Sequence, residues 1–151
     1  LLTTDGNVGL NGIGEVTEWN RKTPVGVYAF TEAFGIADDP GTALSYTKVD
    51  DTYYWVDDVD SPYYNQFVTT KTTPWNWNSA EHIIDYTLSY KYCLALDYNK
   101  EGVWGAGSAI FLHVGSGNPT LGCIGVPEKI MQYVSEDCRI IIDTPAKLKN
   151  Y

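Results

Sequence analysis

Nine residues, VGSGNPTLG, separate His113 from Cys123. An imidazole and a thiol are the minimal equipment for nucleophilic catalysis, since the thiolate is the attacking species and a ring nitrogen is the base that generates it. The apolar run GSAIFLHV (107–114) reads as a strand that delivers the histidine at its end. Gly115, Gly117 and Pro119 turn the chain, and Cys123 opens a second apolar stretch. Pairing of the two runs as neighbouring antiparallel strands is the expected way to unite the side chains. Taken singly, a cysteine between Gly122 and Ile124 reads equally as a small buried apolar residue, and the histidine as a strand-end polar residue. Ser108 and Ser116 lie in no G-x-S-x-G elbow and are not nucleophile candidates.

The elements that must position this pair are mostly extended. The first twenty residues, rich in Gly and Asn, read as turns around short extended pieces. TPVGVYAF (23–30) is a β run opened by a proline, a residue tolerated at a strand start. The alternation in SYTKVDDTYYWVD (45–57), with Asp50–Asp51 at its middle, predicts a hairpin. SAEHIIDYTL (79–88) predicts a short helix with Ser79 as N-cap, placing His82 on a helix face. SYKYCLALDYN (89–99) predicts a long strand. VPEKIMQYVSED (126–137) predicts a second helix, with Pro127 near its first position and an apolar stripe at Ile130, Met131 and Val134. CRIIID (138–143) closes the sheet. The predicted fold is one mainly β domain over 1–151, a curved β-sandwich or partial barrel with two short helices at its margins.

Composition limits the function classes. The chain has 151 residues, enough for one domain with a true core. Its net charge is −9, which argues against nucleic acid, whose phosphates would be repelled. The acidic clusters at Asp38–Asp39, Asp50–Asp51 and Asp57–Asp60 read as solvated turns and match no EF-hand spacing. Two histidines, no CxxC and no HExxH give no metal-site pattern, and no cofactor is implied. No segment approaches the ~20 apolar residues of a membrane span. Three cysteines leave at least one thiol unpaired; Cys93 and Cys138 read as strand fillers or as a disulfide pair in an oxidising compartment. Twelve tyrosines and five tryptophans favour β structure and surfaces able to hold sugar or peptide. A start at Leu1 reads as a processed or trimmed chain, with an export signal expected upstream.

Six blocks in order carry a family resemblance: Lys22–Tyr28 (KTPVGVY), Ala33–Gly35 (AFG), Ser61–Asn65 (SPYYN), Asp97–Asn99 (DYN), Gly107–His113 (GSAIFLH) and Pro119–Cys123 (PTLGC). Together they resemble the L,D-transpeptidase (YkuD-type) catalytic domain of bacterial peptidoglycan enzymes, over about residues 9–134. Leu121 stands where the broader family usually has a second histidine, and Ile124 and Gly125 where it often has an arginine. Family domains also usually carry strand material before the segment that begins here.

The resemblance implies an extracytoplasmic enzyme whose partners are peptidoglycan stem peptides. Cys123 would form a thioester and His113 would move the proton. The carbonyl of Val114 or Gly115 would hold the imidazole tautomer, and the N–H groups of Gly122 and Cys123 would face the oxyanion. Tyr63, Tyr64, Asn65, Trp104 and Thr120 are the residues expected to contact substrate. An L,D-carboxypeptidase using the same residues, with water as acceptor, and a wall-binding module without turnover are the rival expectations.

Overall fold

A computed structural model describes residues 2–151. The strands are β1 (Ile13–Gly14), β2 (Thr23–Pro24), β3 (Gly26–Gly35), β4 (Tyr46–Lys48), β5 (Tyr53–Val56), β6 (Phe67–Thr69), β7 (Ala80–His82), β8 (Cys93–Leu96), β9 (Phe111–Val114), β10 (Ile124–Val126) and β11 (Arg139–Ile142). Helical structure is confined to 3₁₀ turns at Ile83–Asp85, Ser89–Lys91 and Glu128–Tyr133 and to α1 (Pro145–Leu148). The protein is thus mainly β and sandwich-like, with no closed barrel.

The central sheet runs β10-β9-β8-β3-β11. Ten residues long, β3 serves three partners: β11 along its first half, β8 across the second, and β4 in parallel at its end. Strands β8 and β10 are buried throughout, because both faces of the sheet are covered. Leu94, Leu96, Ile110, Leu112, Ile124 and Val126 fill one side. Cys93, Ala95, Phe111 and Cys123 lie on the other, against Phe34 and Trp55. A period of two sorts the residues: each step along β8, β9 or β10 changes side.

Sequence expectation and structure part in four segments. Residues 45–57 do not form a hairpin. The turn at Asp50–Asp51 instead passes the chain from the central sheet, through β4, to a second sheet ordered β6-β5-β7. Residues 79–88 are not a helix. Ala80, Glu81 and His82 pair with Val56, Trp55 and Tyr54, and only Ile83 is fully buried, while Leu88 is 81% exposed. Cross-strand pairing to β5 outweighs a ten-residue helical pattern too short to hold itself together. The expected long strand at 89–99 is reduced to β8, its start being a 3₁₀ turn at Ser89–Lys91. The predicted second helix is a 3₁₀ segment that buries Ile130 and Met131 as its stripe required.

Asn65 joins the two sheets. Its Oδ1 accepts from Trp55 Nε1 (2.8 Å) and from the Ala109 N–H (3.0 Å), and its Nδ2 donates to the carbonyls of Tyr98 (3.1 Å) and Asn99 (2.8 Å). Asn65 and Ala109 both adopt left-handed backbone, with φ of 57° and 53°. Such strain persists only where the surroundings over-determine it, and these four bonds do so. Asn65→Ala strands two buried donors and is expected to cost on the order of 3 kcal/mol, lowering the melting temperature by roughly 6–12 °C. A wild-type melting curve would refute this role.

Candidate active site

His113 and Cys123 project from the same face of the central sheet, but by a different pairing from the one expected. Strands β9 and β10 are parallel, in the register Leu112 with Ile124 and His113 with Gly125. Cys123 therefore lies one strand across and two residues back from His113, a Cα separation of roughly 8 Å at ordinary strand spacings. The loop 115–122 is a crossover rather than a hairpin turn. Glycine at 125 leaves room for the imidazole: a Cβ there would meet His113 Cε1 at 3.5 Å and Gly115 Cα at 2.9 Å. Both side chains open into one cavity of about 360 Å³.

The imidazole is held in one tautomer. His113 Nδ1 donates to the Val114 carbonyl at 2.8 Å, so Nε2 carries the lone pair. Burial lowers the His113 pKa below its ordinary 6.5, with the Val114 contact opposing only in part. The ring is a neutral base at physiological pH. Burial, followed by the Glu81 carboxylate, drives the Cys123 thiol pKa far upward, while the Phe111 N–H and the Tyr90 hydroxyl favour the ionised form. The resting thiol is neutral and donates to the Ala109 carbonyl at 3.1 Å. Left-handed Ala109, fixed by Asn65, aims that carbonyl. The resting pair is thus thiol and imidazole, not thiolate and imidazolium.

Two threonines clamp the Cys123 segment. Fully buried Thr23 donates to the Gly122 carbonyl (2.7 Å) and accepts from the Gly9 N–H (2.8 Å). Thr120 donates to the Cys123 carbonyl (2.6 Å) and accepts from the Gly122 N–H (3.1 Å). The Gly122 donor expected for an oxyanion is therefore engaged by Thr120 in this state. Gly122 has φ 154°, and a Cβ on it would press on Ile110 Cδ1 and the Lys22 carbonyl at 3.3 and 3.2 Å.

Of the residues expected to contact substrate, only Thr120 lines the cavity. The other four lie outside its lining. Tyr64 is buried beneath the site, its hydroxyl donating to Glu18 and accepting from the Gly107 N–H. Asn65 is the joint between the sheets. Tyr63 packs edge-on against Trp77, and Trp104 stands 62% exposed against Trp19 with its Nε1 on Asp60. The Tyr64 hydroxyl and the Trp104 indole find hydrogen-bond partners within the fold. His82 lies on no helix; it stacks on Tyr54 and its two ring nitrogens meet Asp85 and the Asp51 carbonyl. Cys93 and Cys138 are free thiols, so the disulfide alternative falls.

Lys22, Glu18, Asp57, Glu81 and Tyr90 also line the cavity, unforeseen from sequence. Among the described residues, Lys22 is the one cationic side chain there. The helix reading of 79–88 gave Glu81 no part in the site; in β7 it lines the cavity and receives the Tyr90 hydroxyl. Burial raises its pKa from 4.5 to about 7, the Tyr90 bond opposing and Asp57 and Glu18 adding. Comparison with family models, curated proteins and solved structures finds no match to the chain.

Glu81 and His113 couple stability to pH with opposite signs. Glu81 binds its proton more tightly when folded, so its contribution is complete below 4.5 and lost as pH rises through about 7. His113 binds its proton less tightly when folded, so its contribution is complete above 6.5 and lost as pH falls through the lowered value. Glu81→Gln removes the first effect. Between pH 4 and 8, the wild type should lose on the order of 3 kcal/mol relative to that variant in urea titrations. Parallel pH profiles for the two proteins would contradict an enclosed Glu81 carboxyl.

Proposed function

We propose that the protein is a cysteine acyltransferase of the L,D-transpeptidase type, acting outside the cytoplasm on peptidoglycan stem peptides. One observation carries the reading: a tautomer-locked neutral histidine and a buried thiol open from adjacent strands into a single cavity. The six sequence blocks support it from a second direction, and several act on this cavity. The KTP block supplies Lys22 and the Thr23 clamp, SPYYN supplies the Asn65 joint, and the last two blocks supply the pair itself.

In the proposed reaction, the Cys123 proton passes to His113 Nε2 as the sulfur attacks a stem carbonyl. The Sγ–C bond forms, the C–N bond breaks, and the leaving amine takes the proton from Nε2. An acceptor amine then attacks the thioester carbonyl, gives its proton to His113 and releases the thiol. General base and acid work of this kind is typically worth ~10²–10⁴-fold. The Cys123 N–H and the Gly122 N–H are the oxyanion donors, the latter after exchange from Thr120. Lys22 is suited to a substrate carboxylate and takes the place of the arginine absent from positions 124 and 125. The enclosing carboxylates of Glu18, Asp57 and Glu81 suit the amine-bearing part of a stem.

Incubation with muropeptides bearing tetrapeptide stems, read by mass spectrometry, tests the proposal. Cross-linked dimers are expected from the wild type, and none from Cys123→Ala or His113→Ala. Shortened monomers alone would replace transfer by hydrolysis. A carbapenem should add its mass to Cys123 in the wild type and not in Cys123→Ala. Absence of both adduct and product from folded protein would overturn the assignment.

A further inference from the structure

Tyr90 shares the cavity and the buried cluster of the proposed nucleophile and is bonded to a carboxyl group that takes no part in the proton transfers above. Its backbone is pinned on both sides: the N–H donates to the Tyr86 carbonyl (2.8 Å) and the carbonyl accepts from the Ile36 N–H (3.0 Å). Its ring sits edge-on to both Phe111 and His113, each at 5.6 Å between centroids. It is 5% exposed, belongs to the same buried cluster as Cys123 and Cys93, and lines the cavity with Glu81, His113 and Cys123. A tyrosine hydroxyl has one proton to donate. Here that proton goes to the Glu81 carboxyl, whereas a thiolate at Cys123 would draw stabilisation from the same hydroxyl.

We propose that Tyr90 is a catalytic hydroxyl that donates to the Cys123 thiolate, and that Glu81 is the positioning residue deciding where the Tyr90 proton points. With Glu81 ionised, its carboxylate holds the Tyr90 proton and sets a negative charge close to the sulfur. With Glu81 protonated, the carboxyl O–H donates to the Tyr90 oxygen, the Tyr90 O–H turns to the sulfur, and the Cys123 proton moves to His113 Nε2. The added proton comes from solvent and stays on Glu81, so each hydrogen is accounted for. Deprotonation of Glu81 centred near pH 7 then opposes thiolate formation over the range in which a simple thiol gains reactivity.

The charges and titrating groups around this relay are on every side of it. Asp57 follows β5, and Glu18 approaches from the N-terminal segment with its two oxygens on Tyr64 and Ser108. Tyr86 lies beside Tyr90, Cys93 and His113 face it from β8 and β9, and Lys22 closes the cavity. Burial keeps Tyr90 protonated, its pKa lying well above 10. Buried Cys93 stays a neutral thiol, its pKa also well above the ordinary value. Within the relay, Glu81 then changes charge near neutrality and His113 at a pH below its ordinary 6.5.

The inference rests on Cys123 as nucleophile, but not on its substrate, and its test needs no peptidoglycan. Alkylation of Cys123 by iodoacetamide is followed by mass spectrometry from pH 5.5 to 9.5. A Cys138→Ser background removes the other accessible thiol, and circular dichroism confirms folding of each variant. In the wild type, the logarithm of the rate should rise with a slope below one between pH 6 and 8. Glu81→Gln should restore a slope of one and react at least about tenfold faster at pH 8. Tyr90→Phe should slow alkylation and shrink the acceleration made by Glu81→Gln to the part that the Glu81 charge exerts directly on the sulfur. A wild-type slope of one throughout would overturn the relay without any variant, as would acceleration by Glu81→Gln that is undiminished in the Tyr90→Phe background. Muropeptide turnover with no such pH signature would sink this inference alone. The signature without turnover would sink only the proposed activity.

Discussion

A proton can pass between a sulfur and an imidazole only if both leave the same face of the sheet. The β9–β10 register secures that condition. Pairing of His113 with Gly125 puts Cys123, two residues earlier, on the histidine's side. A slip of one residue would send the thiol into the cluster around Leu112 and Ile124 on the far side, since side-chain direction alternates with a period of two. The close contact between Gly115 and Gly125 and the clamps from Thr23 and Thr120 all work to hold that register.

Polar residues at the base of the site carry the constraint outward. Asn65 links Trp55 of the smaller sheet to Ala109 at the entry to β9. Ala109 in turn presents its carbonyl to the thiol. A strained backbone position is thereby placed beside the reacting atom, and its cost is offset by a buried side chain whose every donor and acceptor is used. The site is also part of the core: Cys123, Tyr90 and Phe111 lie in one buried cluster with Phe34 and Trp55. Rigid packing fixes the geometry, and the same packing keeps the thiol neutral until a base takes its proton.

Residues bearing local information were legible in the sequence. The mainly β class and a strand carrying His113 follow from nearby residues, and the Val114 carbonyl was one of two that the family resemblance implied. Partner choice was not legible, because it depends on contacts between distant segments. The loop 115–122 looks like a turn, yet its strands run parallel; nothing in VGSGNPTLG announces a crossover. Segment 79–88 has a helical pattern that pairing with Tyr54, Trp55 and Val56 overrides, and that misreading concealed Glu81. Tyr63, Tyr64, Asn65 and Trp104 looked like ligand contacts because their chemistry suits either task. Where these side chains lie depends on distant segments of the chain.

The spacing of the sheet also decides how the sulfur fares under oxidation. Cys93 and Cys123 belong to one apolar cluster, yet β9 runs between their strands. Two strand spacings, about 9.6 Å, exceed the ~7 Å limit for Cα atoms joined by a disulfide. Cys138 precedes β11, at the opposite end of the strand order. Among the described residues, a sulfenic acid formed at Cys123 therefore meets no resolving thiol, and its rescue here depends on a reductant small enough to enter the cavity.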